Sequence, residues 1–173
     1  MANPRKKFSK IYDQYVEKIY RFVFLKVSSK EIAQDLTSET FLKCWEVFNR
    51  KENPSSNEQK IENPQAFLYQ IARNLVIDHY REKGKYQVVS AETSPIADPR
   101  NDLEEKVILN SDLEIVRNHL SSLKDDYQNA ILWYYLDDLP ICEVAKLLDK
   151  SEDATRVLIH RALKSLREKI NLA

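Results

Sequence analysis

Glycine is almost missing from this chain: its 173 residues include one glycine, Gly84, and six prolines. Folds built from β-strands need many tight turns, and glycine supplies the backbone conformations that those turns require. The shortage therefore argues against an all-β fold and favours helices. Cysteine is scarce as well. Cys44 and Cys142 lie far apart and lack the spacing of a metal site, so we expect reduced thiols rather than a disulfide.

An excess of charge and a long apolar run are also absent. Basic and acidic residues number 27 each, so any affinity for nucleic acid must come from local patches. No apolar run approaches the length of a membrane span, and we expect a cytoplasmic protein without membrane insertion. The three histidines are scattered, and there is neither a Cys/His cluster nor a glycine-rich phosphate loop. We therefore expect no enzyme, no metal and no cofactor.

Apolar residues recur at three- and four-residue intervals along most of the chain, which predicts an all-α fold. One helix is expected from Phe8 to Val27, and a second follows a capping box in which Ser28 is the N-cap. The exposed face of the second helix carries Asp35, Ser38 and Glu39. Such a face is either simply solvated or a docking surface for a basic partner, and the residues alone do not decide between the two.

The third predicted helix follows Asn63, a good N-cap, with Pro64 in the first helical position. Its apolar stripe consists of Ala66, Leu68, Ile71, Ala72, Leu75, Val76 and Tyr80. Its other residues include Phe67, Tyr69, Gln70, Arg73, Asn74, Asp78 and Arg81. Amides and carboxylates can pair with base edges, cations attract phosphates, and rings can stack on unpaired bases. An ordinary solvated helix face would account for the same residues.

The helical period stops at Gly84. The stretch up to Asp102 contains two prolines, and Glu92 to Glu105 holds five acids and one base, which predicts a flexible acidic linker. We accordingly expect two small helical domains, at residues 1–84 and 104–173, joined by a linker at residues 85–103.

The second domain has the outline of a helix-turn-helix. Pro140–Leu148 forms a short helix, Asp149 occupies a turn position that often requires a left-handed backbone, and Ser151 caps a longer helix. From Thr155 to Lys169 that helix has five Arg or Lys residues and one acid. A basic helix after such a turn is typical of binding in the major groove of DNA, and an ordinary three-helix bundle is the alternative.

Three stretches together resemble the bacterial RNA polymerase sigma factors. They are Asp35 to Phe48 (DLTSETFLKCWEVF), Asn63 to Arg81 (NPQAFLYQIARNLVIDHYR) and the end of the helix-turn-helix (HRALKSLRE). More narrowly, the chain is similar to the extracytoplasmic-function (ECF) group, which keeps only the second and fourth sigma domains. The resemblance implies an alternative sigma factor that binds core RNA polymerase and directs promoter-specific initiation, and it leaves open an anti-sigma factor as a further partner.

The resemblance also implies roles for individual residues. Contacts to core polymerase are implied for Asp35, Ser38, Glu39 and Trp45. Reading and opening of the minus-ten element, with capture of a flipped base from the melted non-template strand, is implied for Phe67, Tyr69, Arg73, Asn74, Asp78, His79 and Arg81. Reading of duplex minus-thirty-five DNA is implied for Ser151, Glu152, Asp153, Arg156, Val157, Leu158, His160, Arg161 and Lys164.

This chain departs from the family pattern in several places: Asp149 replaces a common Gly, Leu139-Pro140 replaces a common polar cap, and two further departures bear on the implied contacts. The family often has Gln where Ser38 stands, so one contact to polymerase could be shorter or lost. It usually has small or basic residues where Val157 and Leu158 stand. An apolar surface there could touch thymine methyl groups, contact a partner, or weaken the readout.

Two other classes of protein would explain part of the chain. A stand-alone helix-turn-helix regulator would bind duplex DNA without polymerase, but it leaves the Phe67–Arg81 residues without a role. A helical interaction module, such as an anti-sigma partner or a scaffold, would not act on DNA. Assembly with core polymerase distinguishes the first alternative, and promoter melting in the presence of core polymerase distinguishes the second.

Overall fold

The structure, a computed structural model, describes residues 3–50, 61–89 and 111–172 and divides the chain into two units, Met1–Ser90 and Ala91–Ala173. The described residues form seven α-helices and one turn of π-helix, with no β-strand among them. The all-α class predicted from the sequence is thereby confirmed.

The described residues of the first unit form three long helices that pack against one another. They are α1 (Pro4–Val27), α2 (Lys30–Arg50) and α3 (Pro64–Val89). Their shared interior is apolar: Ile19 and Val23 of α1, Ala33 of α2, and Leu68 and Ala72 of α3 are completely buried. Burial of each large apolar side chain contributes roughly 1.5–3 kcal/mol, so this interior is the main source of stability in the unit.

Side-chain caps set the helix starts in the first unit. Asn63 Oδ1 accepts a hydrogen bond from a backbone N–H of the first turn at 3.1 Å, and Pro64 follows it, as predicted. The predicted cap of α2 is wrong by one residue. Ser28 has a left-handed backbone (φ 54°) and ends α1, while Ser29 Oγ accepts the N–H of Ile32 at 3.5 Å. The chain must reverse sharply between two helices only two residues apart, and the left-handed residue makes that reversal.

Helix α3 continues to Val89, beyond the glycine at which the sequence predicts the start of the linker. Gly84 does not have a positive φ, and a Cβ added to it would meet no atom within 4 Å. The glycine therefore lowers helix propensity without ending the helix, because its neighbours are good helix formers. The rest of the predicted linker, residues 90–103, lies outside the described residues.

The second unit contributes four α-helices to the described residues. They are α4 (Ser111–Ser121), α5 (Asp125–Ile131), α6 (Ile141–Leu148) and α7 (Glu152–Asn171). Helix α7 packs against α4, α5 and α6. Trp133, Leu139 and Val144 are buried in the interior of the unit. The first part of the helix predicted from Leu103 to Leu120, residues 103–110, lies outside the described residues.

The helix predicted from Lys124 to Leu136 changes geometry partway along. Leu132–Leu136 forms one turn of π-helix, which the Asp137 N–H closes by donating to the Leu132 carbonyl at 3.1 Å. The wider turn keeps Trp133 in the core and leaves Tyr135 and Leu136 about half exposed.

Candidate protein and nucleic-acid interfaces

The outer face of α2 combines acidic side chains with one large apolar side chain. Asp35, Ser38 and Glu39 are all exposed, so the structure places these predicted residues together on one helical face. Leu42 lies on the same face and is 57% exposed. Sequence reasoning missed Leu42, although its spacing of three and four residues from Glu39 and Ser38 could have revealed it. An apolar side chain within a polar rim is typical of a protein–protein contact.

Glu39 is paired within its own helix. Its carboxylate lies 3.2 Å from the Lys43 Nζ, and both side chains are about half exposed. An exposed pair four residues apart contributes only about 0.3–0.5 kcal/mol, so a partner's cation can replace Lys43 at little cost. The negative charge of this face therefore remains available for docking.

Trp45 belongs to an aromatic cluster between α1 and α2. The centroid of its ring lies 5.0 Å from that of Phe8 and 6.5 Å from that of Phe48, and Phe8 also meets the buried Phe41 at 6.5 Å. Trp45 is half-buried in this cluster. Its rings therefore help to hold the two helices together, and only part of the side chain is accessible beside the acidic face.

The outer face of α3 presents two hydrogen-bonding side chains one turn apart. Asn74 and Asp78 are both exposed, and Phe67 and Arg81 extend the same face toward its two ends. The Arg81 guanidinium lies 3.9 Å from the Asp78 carboxylate, and both side chains are more than half exposed. An ion pair that is long and solvated is weak, so the carboxylate remains available to a partner.

Tyr69 does not lie on the outer face of α3. Its side chain is completely buried, and its ring meets Phe22 of α1 edge-on with centroids 5.3 Å apart. It falls within the stripe of α3 that packs into the first unit, beside Leu68 and Ala72. This burial corrects the prediction that Tyr69 contacts DNA, because the ring is part of the core.

Two other predicted residues lie at the margins of the outer face, and Gln70 and Ile77, to which no DNA contact was assigned, lie on it. Arg73 and His79 are half-buried, and the His79 ring packs against Tyr80 with centroids 5.6 Å apart. Gln70 is exposed and Ile77 is 37% exposed, four residues before and three residues after Asn74. That helical spacing is the signal that could have added both residues to the predicted set.

Tyr80 connects α3 to the end of α1. The sequence places it on the apolar stripe, but its side chain is 47% exposed. Its hydroxyl donates a hydrogen bond to the carbonyl oxygen of Lys26, and partial burial raises the pKa of the Tyr80 phenol. The last carbonyls of a helix lack intrahelical partners, so this bond satisfies one of them and joins the two helices.

The turn between α6 and α7 has the geometry predicted for a helix-turn-helix. Asp149 adopts the left-handed conformation (φ 55°, ψ 48°), and the next N–H, that of Lys150, donates to the Ala145 carbonyl at 3.0 Å. Ser151 Oγ accepts the N–H of Ala154 at 3.1 Å and caps α7. Asp tolerates this backbone better than most residues, which explains how a turn without glycine forms here.

The outer face of α7 carries the residues predicted to contact duplex DNA. Exposed among them are Ser151, Glu152, Asp153, Arg156, Val157, His160, Arg161 and Lys164. Leu158 is half-buried. Thr155, Ile159 and Ala162 are buried on the opposite side, so α7 presents one exposed face that is mainly polar.

Arg156 is held over the first turn of α7. One of its terminal nitrogens lies 3.0 Å from the Asp153 carboxylate, and the other lies 3.4 Å from the Glu152 carboxylate. Val157, the next residue, is 50% exposed. Arg161 and Lys164 add positive charge further along the same face.

The described residues contain neither a cluster of metal ligands nor a helix that could span a membrane. Across residues 3–50, 61–89 and 111–172, no group of three or more His, Cys, Asp or Glu side chains could hold a metal ion. No helix in these ranges is long and apolar enough to span a membrane. Both thiols are free: Cys44 is buried and Cys142 is exposed.

Two family models match the chain. The model of sigma-70 region 2 matches residues 11–86, and the model of sigma-70 region 4 matches residues 113–166. The first range contains the faces of α2 and α3, and the second contains the helix-turn-helix. The chain is therefore a sigma factor of the sigma-70 type, and the alternative of a stand-alone regulator is not favoured.

Similar proteins identify the group within that class. The chain is 29% identical to the ECF RNA polymerase sigma factor BldN of Streptomyces coelicolor, over 92% of this chain and 58% of that protein. It is 27% identical to the ECF RNA polymerase sigma factor SigM of Bacillus subtilis, over 93% of each. It thus spans less than two thirds of the first relative and most of the second. The chain belongs to the ECF sigma factors, as its sequence resemblance predicts.

Solved structures show the same fold. The sigma factor RpoE, solved in complex with the anti-sigma factor NepR from Bartonella quintana, matches with a TM-score of 0.70 at 18% identity, over 96% of this chain and 98% of that one. CnrH, solved with the cytosolic domain of CnrY, matches with a TM-score of 0.67 at 15% identity, over 97% and 90%. At these identities the likeness concerns the fold.

Proposed function

We propose that this ECF sigma factor joins core RNA polymerase through α2, reads and opens the minus-ten element with α3, and reads duplex minus-thirty-five DNA with α7. The observation that carries the proposal is the pair of exposed side chains Asn74 and Asp78, one turn apart on a helix whose other side is buried. An amide and a carboxylate match the donors and acceptors of base edges. We propose no catalytic role for the chain itself.

Docking on core polymerase follows from the chemistry of α2. Asp35 and Glu39 lie on the same face as Leu42, toward the start of the helix, and Leu42 is more than half exposed. A complementary partner surface has an apolar pocket with cations at its rim, because opposite charges steer the encounter and the apolar contact supplies most of the affinity. In this proposal core polymerase provides that pocket.

Opening of the minus-ten element requires a base to leave the stack. Extruding one base costs a few kcal/mol, and bonds to the flipped base must offset that cost. Asn74 and Asp78 supply the bonds, and Phe67 supplies a partly exposed ring on the same face for stacking. Arg81, at the end of the face, attracts the strand backbone.

Substitutions on α3 test the minus-ten role. We expect Asn74→Ala and Asp78→Ala each to reduce promoter opening by about fivefold or more, since a good base contact is worth roughly 1–3 kcal/mol. Opening is measured by fluorescence of a promoter labelled in the minus-ten region, with core polymerase present. Affinity for core polymerase should stay unchanged, and Glu82→Ala, on the same helix, should leave both quantities unchanged. Equal loss of core binding and opening would make Asn74 and Asp78 structural residues.

Substitutions on α2 test the docking role. We expect Glu39→Lys and Leu42→Ala to weaken assembly with core polymerase, the latter by more than 1 kcal/mol if Leu42 is a central anchor. Glu17→Lys is the matched control, because it makes the same charge reversal at an exposed position of α1. Unchanged affinity of both α2 variants would remove this face from the interface. Absence of any promoter-specific transcript from wild-type holoenzyme would remove the proposed function altogether.

An anti-sigma factor is a further proposed partner. RpoE was solved in complex with one, and its fold is shared by this chain. The exposed Leu42 gives such a regulator an apolar surface that it would cover in the free sigma factor. Isolation of the chain from its own host should yield a complex that core polymerase displaces. A complex that persists alongside bound core polymerase would contradict shared use of the α2 face.

A further inference from the structure

Val157 is an apolar residue on the polar face of α7. Half of its side chain is exposed, although β-branched residues favour neither helices nor solvent. Of the four residues one turn away, Asp153, His160 and Arg161 are charged or polar and exposed, and Ala154 is exposed but carries only a methyl group. Packing within the second unit does not explain a valine at this position.

The neighbouring ion pairs keep Val157 uncovered. The apolar stem of an arginine often lies over an adjacent apolar group. Here both terminal nitrogens of Arg156 contact carboxylates one turn back, at 3.0 Å from Asp153 and 3.4 Å from Glu152. The guanidinium therefore lies over the first turn of the helix and leaves the two methyl groups of Val157 open to a partner.

The surroundings of Val157 favour DNA over protein as that partner. The face of α2 around Leu42 is acidic, whereas Val157 shares its face with Arg161 and Lys164, whose cations attract the phosphates that border a DNA groove. The major groove offers one apolar group on its base edges, the C5-methyl of thymine, and residues near the start of a recognition helix lie against base edges. Val157 falls in the second turn of α7, within reach of such an edge when the helix enters the groove.

We propose that Val157 is a specificity-determining residue that contacts the C5-methyl group of a thymine in the minus-thirty-five element. The inference rests on the proposed function, because it needs α7 to lie in the major groove of promoter DNA. The proposed function does not say which bases α7 prefers. Valine at position 157, where the family usually has a small or basic residue, would favour thymine at one base pair.

Base analogues test the contact one methyl group at a time. Holoenzyme first selects its minus-thirty-five element from randomised duplex DNA, and each thymine in that element is then replaced by deoxyuridine, which lacks only the methyl group. We expect one position to lose about fourfold in affinity, the amount typical of one buried methyl or methylene group. Val157→Ala should bind the thymine duplex about as weakly and should no longer respond to deoxyuridine at that position.

Two further variants serve as controls. Val157→Ile keeps an apolar contact and should keep the response to deoxyuridine. Arg161→Ala should weaken binding to both duplexes equally. A response that persists in Val157→Ala, a selected element in which no thymine responds, or an element without thymine would overturn the inference alone. Failure of wild-type holoenzyme to select any element would overturn the proposed function and the inference together.

Discussion

Two aromatic residues of α3, only two positions apart, have opposite surroundings. Tyr69 is completely buried against Phe22, whereas Phe67 is half-buried on the outer face. The sequence alone could not distinguish them, because a ring at the edge of an apolar stripe can turn toward either side. The neighbouring helix decides, since α1 brings Phe22 to Tyr69 and leaves Phe67 open.

The burial of Tyr69 gives a stability prediction. Removing a buried aromatic ring leaves a cavity, so we expect Tyr69→Ala to lower the free energy of unfolding by about 3–5 kcal/mol. Phe67→Ala should cost clearly less, because its ring is partly solvated already. Urea unfolding followed by circular dichroism measures both variants. A Tyr69→Ala protein as stable as wild type but unable to open promoters would restore Tyr69 as a DNA contact.

The two thiols should differ sharply in reactivity. Burial raises the pKa of Cys44 to about 11, so little of this thiol is ionised at neutral pH. Because the thiolate is the reactive form and the side chain is inaccessible, Cys44 should react slowly. Cys142 is exposed. At pH 8 we expect a chromogenic disulfide to modify one thiol quickly, and Cys142→Ser to react only as fast as the protein unfolds. Rapid reaction of native Cys142→Ser would contradict the burial of Cys44.

The same pKa shift has a consequence for stability. The folded state raises the Cys44 pKa above its ordinary value of 9.0 and thus favours the neutral thiol. The stabilising contribution is therefore complete below pH 9 and is lost as pH rises through about 11. Compared with wild type, Cys44→Ala should show a shallower fall in stability over this range, as measured by unfolding at fixed pH values.

Helix boundaries separate what local rules can predict from what they cannot. Asn63, Ser151 and Asp149 act as predicted, because caps and left-handed turn positions depend on the immediate chain. The shift from Ser28 to Ser29 was not predictable, since both serines suit a cap and the reversal between helices selects one. The π-turn at Leu132–Leu136 was likewise hidden, because an apolar run has no period that distinguishes it from an α-helix.

Gly84 offers a test of the length of α3. Because it lies inside the helix with room for a Cβ, we expect Gly84→Ala to raise the free energy of unfolding by roughly 0.5–1 kcal/mol. Lys83→Ala, at the neighbouring exposed position, should change it by less than about 0.5 kcal/mol. Thermal unfolding of the two variants makes the comparison. Destabilisation by Gly84→Ala would mean that the helix ends at the glycine in solution.

The chain as a whole is neutral, but individual helix faces carry opposite charges. The chain has no net charge, yet the outer face of α2 is acidic and that of α7 is mainly basic. The sequence revealed these charges and the helices that carry them, because both follow from spacing. Spacing places Leu42, Ile77 and Val157 on the outer sides of their helices, but it does not give the degree of their exposure, since exposure of an apolar residue depends on which neighbours pack against it. These three residues are where the structure adds most to the interpretation of the surfaces.

Salt dependence can separate the charged contacts of α7 from its apolar one. Each phosphate contact that is lost should reduce the slope of log affinity against log salt by about 0.9, because one fewer counterion is released. We expect Arg161→Ala and Lys164→Ala each to lower the slope of holoenzyme binding to a promoter duplex by this amount. Val157→Ala should weaken binding at every salt concentration without changing the slope, because an apolar contact releases no counterion.

Lys10→Ala is the control: it removes the same charge from an exposed position in the first unit and should change neither the slope nor the affinity. Equal changes in slope for Lys10→Ala and the α7 variants would mean that the total charge of the chain governs binding. That result would contradict the assignment of DNA contacts to the outer face of α7.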